Sequence, residues 1–335
     1  MKQNCIGNTR LQLSELGFGA ASLGNLYRQM STQLAAEVVE AAWASGMRYF
    51  DTAPFYGLGL SERRLGDVLR DMPRDDFVLS TKVGRLLKPG TAADKFGFCS
   101  PMPFDPVFDY SYDGIMRSFE DSLQRLGLAH IDILYMHDIG SLTHGDEHER
   151  LFKTAMEGGY RAMDELRSAG LISAIGLGVN EFEVCDEAMQ YGDFDCFLLA
   201  GRYTLLEHQA SLPFLEKCLA RNISIILGGA YNSGILATGT QGSTIAHYNY
   251  EPASADIIAK VKAMENVCAD FGLDLPATAL QFALAHPAII NVIPGLNSAK
   301  RVRQTMGYLD VDIPIAFWGA LKDQHLIEAA ALTPE

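Results

Sequence analysis

The stretch 46–66, GMRYFDTAPFYGLGLSERRLG, holds one complete folding unit. MRYFD (47–51) is a short apolar run that closes on a carboxylate. TAPFYGLGL is a Pro/Gly-punctuated loop. Ser61 then opens an amphipathic stretch over 61–70, with Glu62 where an acidic side chain favours a helix N-terminus. A strand, a loop and a helix in this order predict one step of a parallel sheet, because a parallel neighbour is reached only through a crossover.

The same unit recurs along the chain. Apolar runs predict strands at LGFGA (16–20), FVLSTK (77–82), IDILYMH (131–137), SAIGLGV (173–179), FDCFLL (194–199), ISIILG (223–228) and IINVIP (289–294). With MRYFD they number eight. Several are almost continuously apolar, as strands buried on both faces are. Helical patterning falls between them at 31–45, 61–70, 113–126, 149–169, 181–191, 211–221, 254–271 and 298–309, with further helices over 276–286 and 315–330. Ser/Thr caps, Gly46 past the first helix and Pro276 at a helix start punctuate them. Eight β–α steps without an interrupting linker predict closure into a (β/α)8 TIM barrel, one domain spanning 1–335. CIGNTRLQLS (5–14) predicts an N-terminal β-hairpin that plugs the barrel's N-terminal end. Two long insertions, 84–110 and 231–253, follow strands and so belong to the C-terminal face, where barrel active sites sit.

Composition narrows the function. The 335 residues are 48% hydrophobic and 20% charged, which is enough for a sizeable core. The net charge of −14 opposes binding to nucleic acid or to an anionic membrane surface. No run of apolar residues reaches membrane-spanning length, and the N-terminus has no signal-peptide core. Cysteines 5, 99, 185, 196, 218 and 268 form no C-x-x-C pair and read as scattered reduced thiols, so a cytoplasmic location is expected. THGDEHER (143–150) places His144 and His148 four residues apart, but its acidic surroundings read as a solvated helix start; no metal is expected.

The chemistry gathers at strand ends. Strand two ends in Asp51, followed by Tyr56; strand three ends in Lys82; strand four ends in His137 and Asp138. A phenol titrates near pH 10 in water, and a neighbouring ammonium stabilises its anion. Asp51 would hold Lys82 charged, and His137 would orient a substrate oxygen. Such a cluster suits proton transfer at a carbonyl or alcohol oxygen.

Here the chain resembles the aldo-keto reductases, nearly end to end, on GMRYFDTAPFYGLGLSERRLG, STKVG, LYMHD, GLGVN and the run from IPGLNSAKR. The resemblance implies a barrel that moves a hydride between a nicotinamide and a carbonyl carbon. It implies Asp51, Tyr56, Lys82 and His137 as the catalytic tetrad, with Tyr56 as general acid or base. It also assigns Phe55, Tyr56 and His137 to substrate. Cofactor contacts are implied at Gly19, Ala20, Asp51, Asn180, Gly228, Gly229, Ala230, Ser233, Ile235, Gly295, Ser298 and Arg301. GFGAASLG (17–24) lacks the G-x-G-x-x-G spacing of a Rossmann turn.

Three departures from the family pattern matter. Gly228 replaces a stacking tyrosine at the end of strand seven. The strand-six glutamine is replaced near Ala200. Gly295 and Leu296 stand where NADP-linked members carry a Lys-Ser pair, which favours NAD; the retained Arg301 keeps NADP as the alternative. GGAYNSGIL (228–236) and LLAGRYTLLE (198–207) are similar to the aldose 1-dehydrogenase subgroup, which acts on L-fucose, D-threo-aldoses and L-galactose and includes a pyridoxal 4-dehydrogenase. The expected reaction is oxidation of a hemiacetal carbon to a lactone, in a monomer or weak homo-oligomer. The alternatives are a pyridoxal 4-dehydrogenase, an NADPH-linked carbonyl reductase and a nicotinamide-sensing regulatory binding subunit. Substrate contacts are expected among Arg85, His137, Asp138, Tyr203, His247 and Tyr250, with Phe55, Phe104 and Phe108 as packing surfaces.

Overall fold

Eight short strands form the centre of the computed structural model, which describes residues 1–240, 246–249 and 251–334. They are β1 (Phe18–Gly19), β2 (Tyr49–Asp51), β3 (Val78–Val83), β4 (Ile133–His137), β5 (Ala174–Val179), β6 (Cys196–Ala200), β7 (Ser224–Gly228) and β8 (Ile289–Ile293). Neighbours in chain order pair in parallel. The ring closes where Gly17 N donates to Val292 O at 2.9 Å and Val292 N donates to Glu15 O at 2.8 Å. Leu16 bridges to Val292, and Gly19 to Gly295. The expected (β/α)8 barrel is the fold.

Helices cover the outside for the reasons their sequences suggest. Ser31, Ser111, Ser254 and Ser298 each accept a backbone N–H at the start of a helix, supplying a partner that the first turn lacks. Gly127 and Gly272 end two helices in the left-handed conformation. The apolar helix faces and the outward strand residues make one continuous core.

A second core fills the barrel. Ile6 and Leu13, on the hairpin of Gln3–Cys5 with Gln12–Ser14, pack on Tyr49, Ile133, Tyr135, Cys196, Leu198, Ile226 and Ile293. Gly7 N donates to Ser224 Oγ at 2.9 Å and Asn4 Nδ2 to Ile290 O at 2.9 Å, pinning the hairpin across the end of the barrel.

Three elements differ from expectation. The insertion after β3 is an antiparallel ribbon, Arg85–Pro89 with Phe104–Phe108, rather than an irregular loop. The helix expected over 149–169 is His148–Thr154 and Tyr160–Ser168, joined by a π-turn at Ala155–Gly159. The last helix ends at Asp323 instead of residue 330. Beyond it Leu326 and Ile327 are buried, and Glu328 N donates to His208 Nε2 at 3.2 Å, so docking of the tail competes with helix continuation. Among the described residues no helix is long and apolar enough to cross a membrane.

Candidate active site

Parallel strands deliver their last residues to one rim. Asp51 ends β2, Lys82 is next to last in β3, and His137 ends β4. All three are buried. Lys82 Nζ donates to Asp51 Oδ2 at 2.7 Å and to Thr52 O at 3.0 Å. Ser80 Oγ donates to Asp51 Oδ1 at 2.7 Å, so both carboxylate oxygens are engaged. Lys82 Nζ lies 4.7 Å from the centroid of the Tyr56 ring. The His137 ring stands edge-on to Tyr56 at 6.1 Å and to Phe55 at 6.1 Å.

The loop carrying Tyr56 is held by close backbone contact. Gly57 adopts φ +65°, and a Cβ there would lie 2.5 Å from Gly24 O. A Cβ on Gly24 would lie 2.5 Å from the Tyr56 carbonyl carbon. Two glycines therefore let the turn after β1 press directly on the Tyr56 backbone.

Burial and the cations Lys82 and Arg85 set the electrostatics of the site. Burial works to lower the Lys82 ammonium, but Asp51 and Tyr56 outweigh it and raise its pKa, so it stays protonated. Burial raises the Tyr56 phenol; Lys82 pulls it down and Asp51 pushes it up, and the balance remains upward. The expected lowering by Lys82 is present, but desolvation outweighs it. His137 is held well below its ordinary value by burial, then by Arg85 and Lys82, so it is neutral.

Arg85 forms an ion pair with Asp138. Its guanidinium lies 4.0 Å from the Phe55 ring centroid and 5.0 Å from that of Phe108. Asp138 Oδ1 accepts from Asn180 Nδ2 at 3.2 Å, and Asp138 Oδ2 lies 3.4 Å from His137 Nε2.

Two adjoining cavities open here. One of about 420 Å³ is lined by Phe55, Tyr56, Lys82, His137, Asp138 and Asn180, with Phe96 and Phe98 on its wall. The second, about 380 Å³, runs from Asp51 and Tyr56 past Gly19, Gly228, Gly229, Ala230, Ser233 and Gly295 to Asn297. Ala21, Leu26, Tyr27, Tyr56, Leu198 and Ala200 belong to both. A Cβ built on Gly234 or Gly295 meets nothing within 4 Å, so both glycines leave open space at the groove. The glycine lining of this groove, which ends at Asp51 and Tyr56, suits the close backbone approach of a dinucleotide.

Not every expected residue reaches the cavities. Ala20 is buried, with its carbonyl taken by Ser61 Oγ at 2.7 Å; Ala21 and Ser22 line the groove in its place. Ile235 is in the core. Ser298 caps a helix, and Arg301 on that helix is solvent-exposed, though close enough to act on the phenol of groove residue Tyr231. Tyr203 is fully buried, stacked on Phe282 at 5.4 Å, which removes it from the mouth. His247 reaches the rim, stacked on Tyr27 at 6.2 Å. Phe104 and Phe108 lie on the ribbon after β3, and Tyr250 lies outside the described residues. His144 Nε2 bonds Tyr110 Oη at 3.0 Å, and no cluster of three metal-ligating side chains occurs among the described residues. Leu26, Tyr27, Phe96 and Phe98 were not legible as lining residues, because loops of irregular composition carry them.

The aldo/keto reductase family model matches residues 15–325. The chain is 42% identical to pyridoxal 4-dehydrogenase from Microbacterium luteolum, covering 97% of this chain and 98% of that protein. It is 36% identical to D-threo-aldose 1-dehydrogenase from Pseudomonas sp., covering 95% of each. It is 31% identical to L-galactose dehydrogenase from Arabidopsis thaliana, covering 90% of this chain and 86% of that one. The holo form of an aldo-keto reductase from Bacillus halodurans superposes with a TM-score of 0.76 at 24% identity, over 99% and 98% of the two chains. With its barrel closed and a buried Asp–Lys pair beside a tyrosine at the mouth, this chain belongs to the aldo/keto reductase family of oxidoreductases.

Proposed function

We propose that this enzyme oxidises the hemiacetal carbon of a cyclic aldose to a lactone, with NAD as hydride acceptor. The observation that carries this reading is the position of Tyr56. It lines both cavities, so one side chain faces the substrate space and the nucleotide groove at once. A proton acceptor at that junction can take the hydroxyl proton as hydride leaves the same carbon.

The residues divide the work. Tyr56, as tyrosinate, accepts the proton; Lys82 stabilises that anion; Asp51 and Thr52 O hold Lys82 in place. Neutral His137 donates a hydrogen bond to the reacting oxygen. The C–H pair leaves as hydride, the O–H proton passes to Tyr56 Oη, and the new C=O completes the lactone. Gly19, Gly228, Gly229, Ala230, Ser233 and Gly295 would let the nucleotide approach the backbone closely, and Asn180 would take the carboxamide. The bound nicotinamide supplies the hydride acceptor. NAD is favoured because Gly295 offers no side chain and Leu296 is buried where a 2′-phosphate would need a cation and a hydroxyl. The solvent-exposed Arg301 keeps NADP in the comparison.

A second reading, pyridoxal as substrate, is supported by the aromatic wall. Phe55 packs on Phe96 at 5.2 Å and on Phe98 at 5.6 Å, a surface suited to a flat ring. The similarity to pyridoxal 4-dehydrogenase points the same way.

The test is a panel of L-fucose, L-galactose, D-arabinose and pyridoxal with NAD and NADP, compared by kcat/KM with the product identified. The expected result is a lactone, formed faster with NAD. Reduction of carbonyls to alcohols, with no oxidation of any of these compounds under either nucleotide, overturns the proposal.

A further inference from the structure

Below the active site, a line of polar groups runs through the apolar barrel interior. Cys196 Sγ lies 3.6 Å from Tyr135 Oη, Tyr135 Oη 3.2 Å from Tyr49 Oη, and Tyr49 Oη 2.9 Å from Ser80 Oγ. Ser80 Oγ lies 2.7 Å from Asp51 Oδ1, and Asp51 Oδ2 2.7 Å from Lys82 Nζ. Cys196, Tyr135, Tyr49 and Ser80 are fully buried, and Tyr49, Tyr135 and Cys196 belong to the same packed cluster as Ile6 and Leu13 of the hairpin.

The direction of every bond in this line follows from its end. An ionised carboxylate only accepts, so Ser80 spends its proton on Asp51. Ser80 can then only accept from Tyr49, Tyr49 only from Tyr135, and Tyr135 from Cys196. All the dipoles point their positive ends toward Asp51, and bonds aligned this way reinforce one another. Barrel interiors are ordinarily filled by branched aliphatic side chains. Burying two phenols and a hydroxyl there has a desolvation cost that packing does not require.

We infer that Ser80 and Tyr49, backed by Tyr135, are positioning residues for the proposed proton transfer: a one-way hydrogen-bond chain that keeps Asp51 an oriented anion, so that Lys82 stays charged and aimed at Tyr56. None of the three touches the substrate cavity or the nucleotide groove. The inference rests on the proposed role of Tyr56. The groups facing Tyr56 are Lys82, Asp51, His137 and Asp138, with Arg85 behind the last two; those facing Asp51 are Lys82, Ser80 and Tyr49.

The sign of the effect is set by the dipoles. Positive ends aimed at the cluster stabilise both the Asp51 carboxylate and the tyrosinate, so removing them raises both pKa values. The experiment is a carboxyl-¹³C NMR titration of Asp51, assigned with D51N, in the native enzyme, S80A and Y49F. It is paired with the pH profile of kcat for whichever compound of the panel the native enzyme oxidises. In S80A, Asp51 is expected to titrate at higher pH than in the native enzyme. The oxidation rate, which rises as Tyr56 ionises, is expected to move its limb upward, with about a three- to tenfold loss of kcat at neutral pH, the equivalent of up to one pKa unit. Y49F is expected to show smaller shifts of the same sign. Its Phe keeps the packing, so it also carries the test should S80A fold poorly. The dissociation constant for NAD is expected to stay unchanged in both. An Asp51 titration and a kcat limb at their native positions in both variants overturn the inference. A displaced Asp51 titration in an enzyme that oxidises nothing in the panel overturns the proposed reaction and leaves the hydrogen-bond chain standing as a property of Asp51 alone.

Discussion

Lys82 illustrates how one buried charge organises its neighbours. Its ammonium is tolerated because Asp51 and Thr52 O accept from it, and Asp51 is tolerated because Lys82 and Ser80 donate to it. Breaking such a pair from one side leaves an uncompensated charge. D51N should therefore lose about 3–5 kcal/mol at neutral pH, measured by urea denaturation. The folded Lys82 pKa is raised, so its contribution is complete below the unfolded lysine value of about 10.4 and is lost as pH rises through the folded value. The stability gap between the native enzyme and D51N should narrow in that alkaline range; a constant gap would mean that Lys82 is not the group responsible. Y56F removes the proposed proton carrier but keeps the ring. Its kcat should fall about 10²–10⁴-fold while NAD affinity, read by fluorescence titration, stays near native. Equal losses in binding and turnover would make Tyr56 a cofactor-packing residue.

At the scale of elements, the candidate site depends on how loops meet. The turns after β1 and β2 press together at Gly24 and Gly57, with no room for a Cβ on either. G57A should incur about 1–2 kcal/mol from the left-handed backbone alone, and more from displacing Gly24. Tyr56 precedes Gly57, so that displacement should lower kcat beyond what the loss in Tm explains; native turnover in a destabilised G57A would separate this contact from catalysis. The ribbon Arg85–Pro89 with Phe104–Phe108 has a comparable role after β3. It carries the Arg85 guanidinium to Asp138 and stacks it on Phe55, joining the rim to the cavity that Phe55 lines.

The whole barrel separates stability from chemistry by its two ends. Hairpin residues Ile6 and Leu13 close the N-terminal end, while Asp51, Lys82 and His137 lie at the C-terminal rim. L13A should lower stability by about 2–5 kcal/mol through the cavity it leaves. Below its melting range, kcat/KM should stay within about twofold of native, since Leu13 itself lines neither cavity. A large loss of activity in folded L13A would show that the plug transmits strain along the barrel.

Much of this was already written in the chain. The eight apolar runs, their helices, the hairpin and the residues at the ends of β2, β3 and β4 follow from periodicity, capping and the rule that parallel strands expose their C-termini on one side. Those are local signals, and the chain contains them residue by residue. Tertiary structure alone decided which hydroxyls line up behind Asp51, that Tyr203 turns inward onto Phe282, that Ala21 and Ser22 rather than Ala20 face the groove, and that burial outweighs Lys82 at the Tyr56 phenol. Each of these depends on distances between segments far apart in sequence and on how much water packing excludes, and neither quantity exists until the barrel has closed.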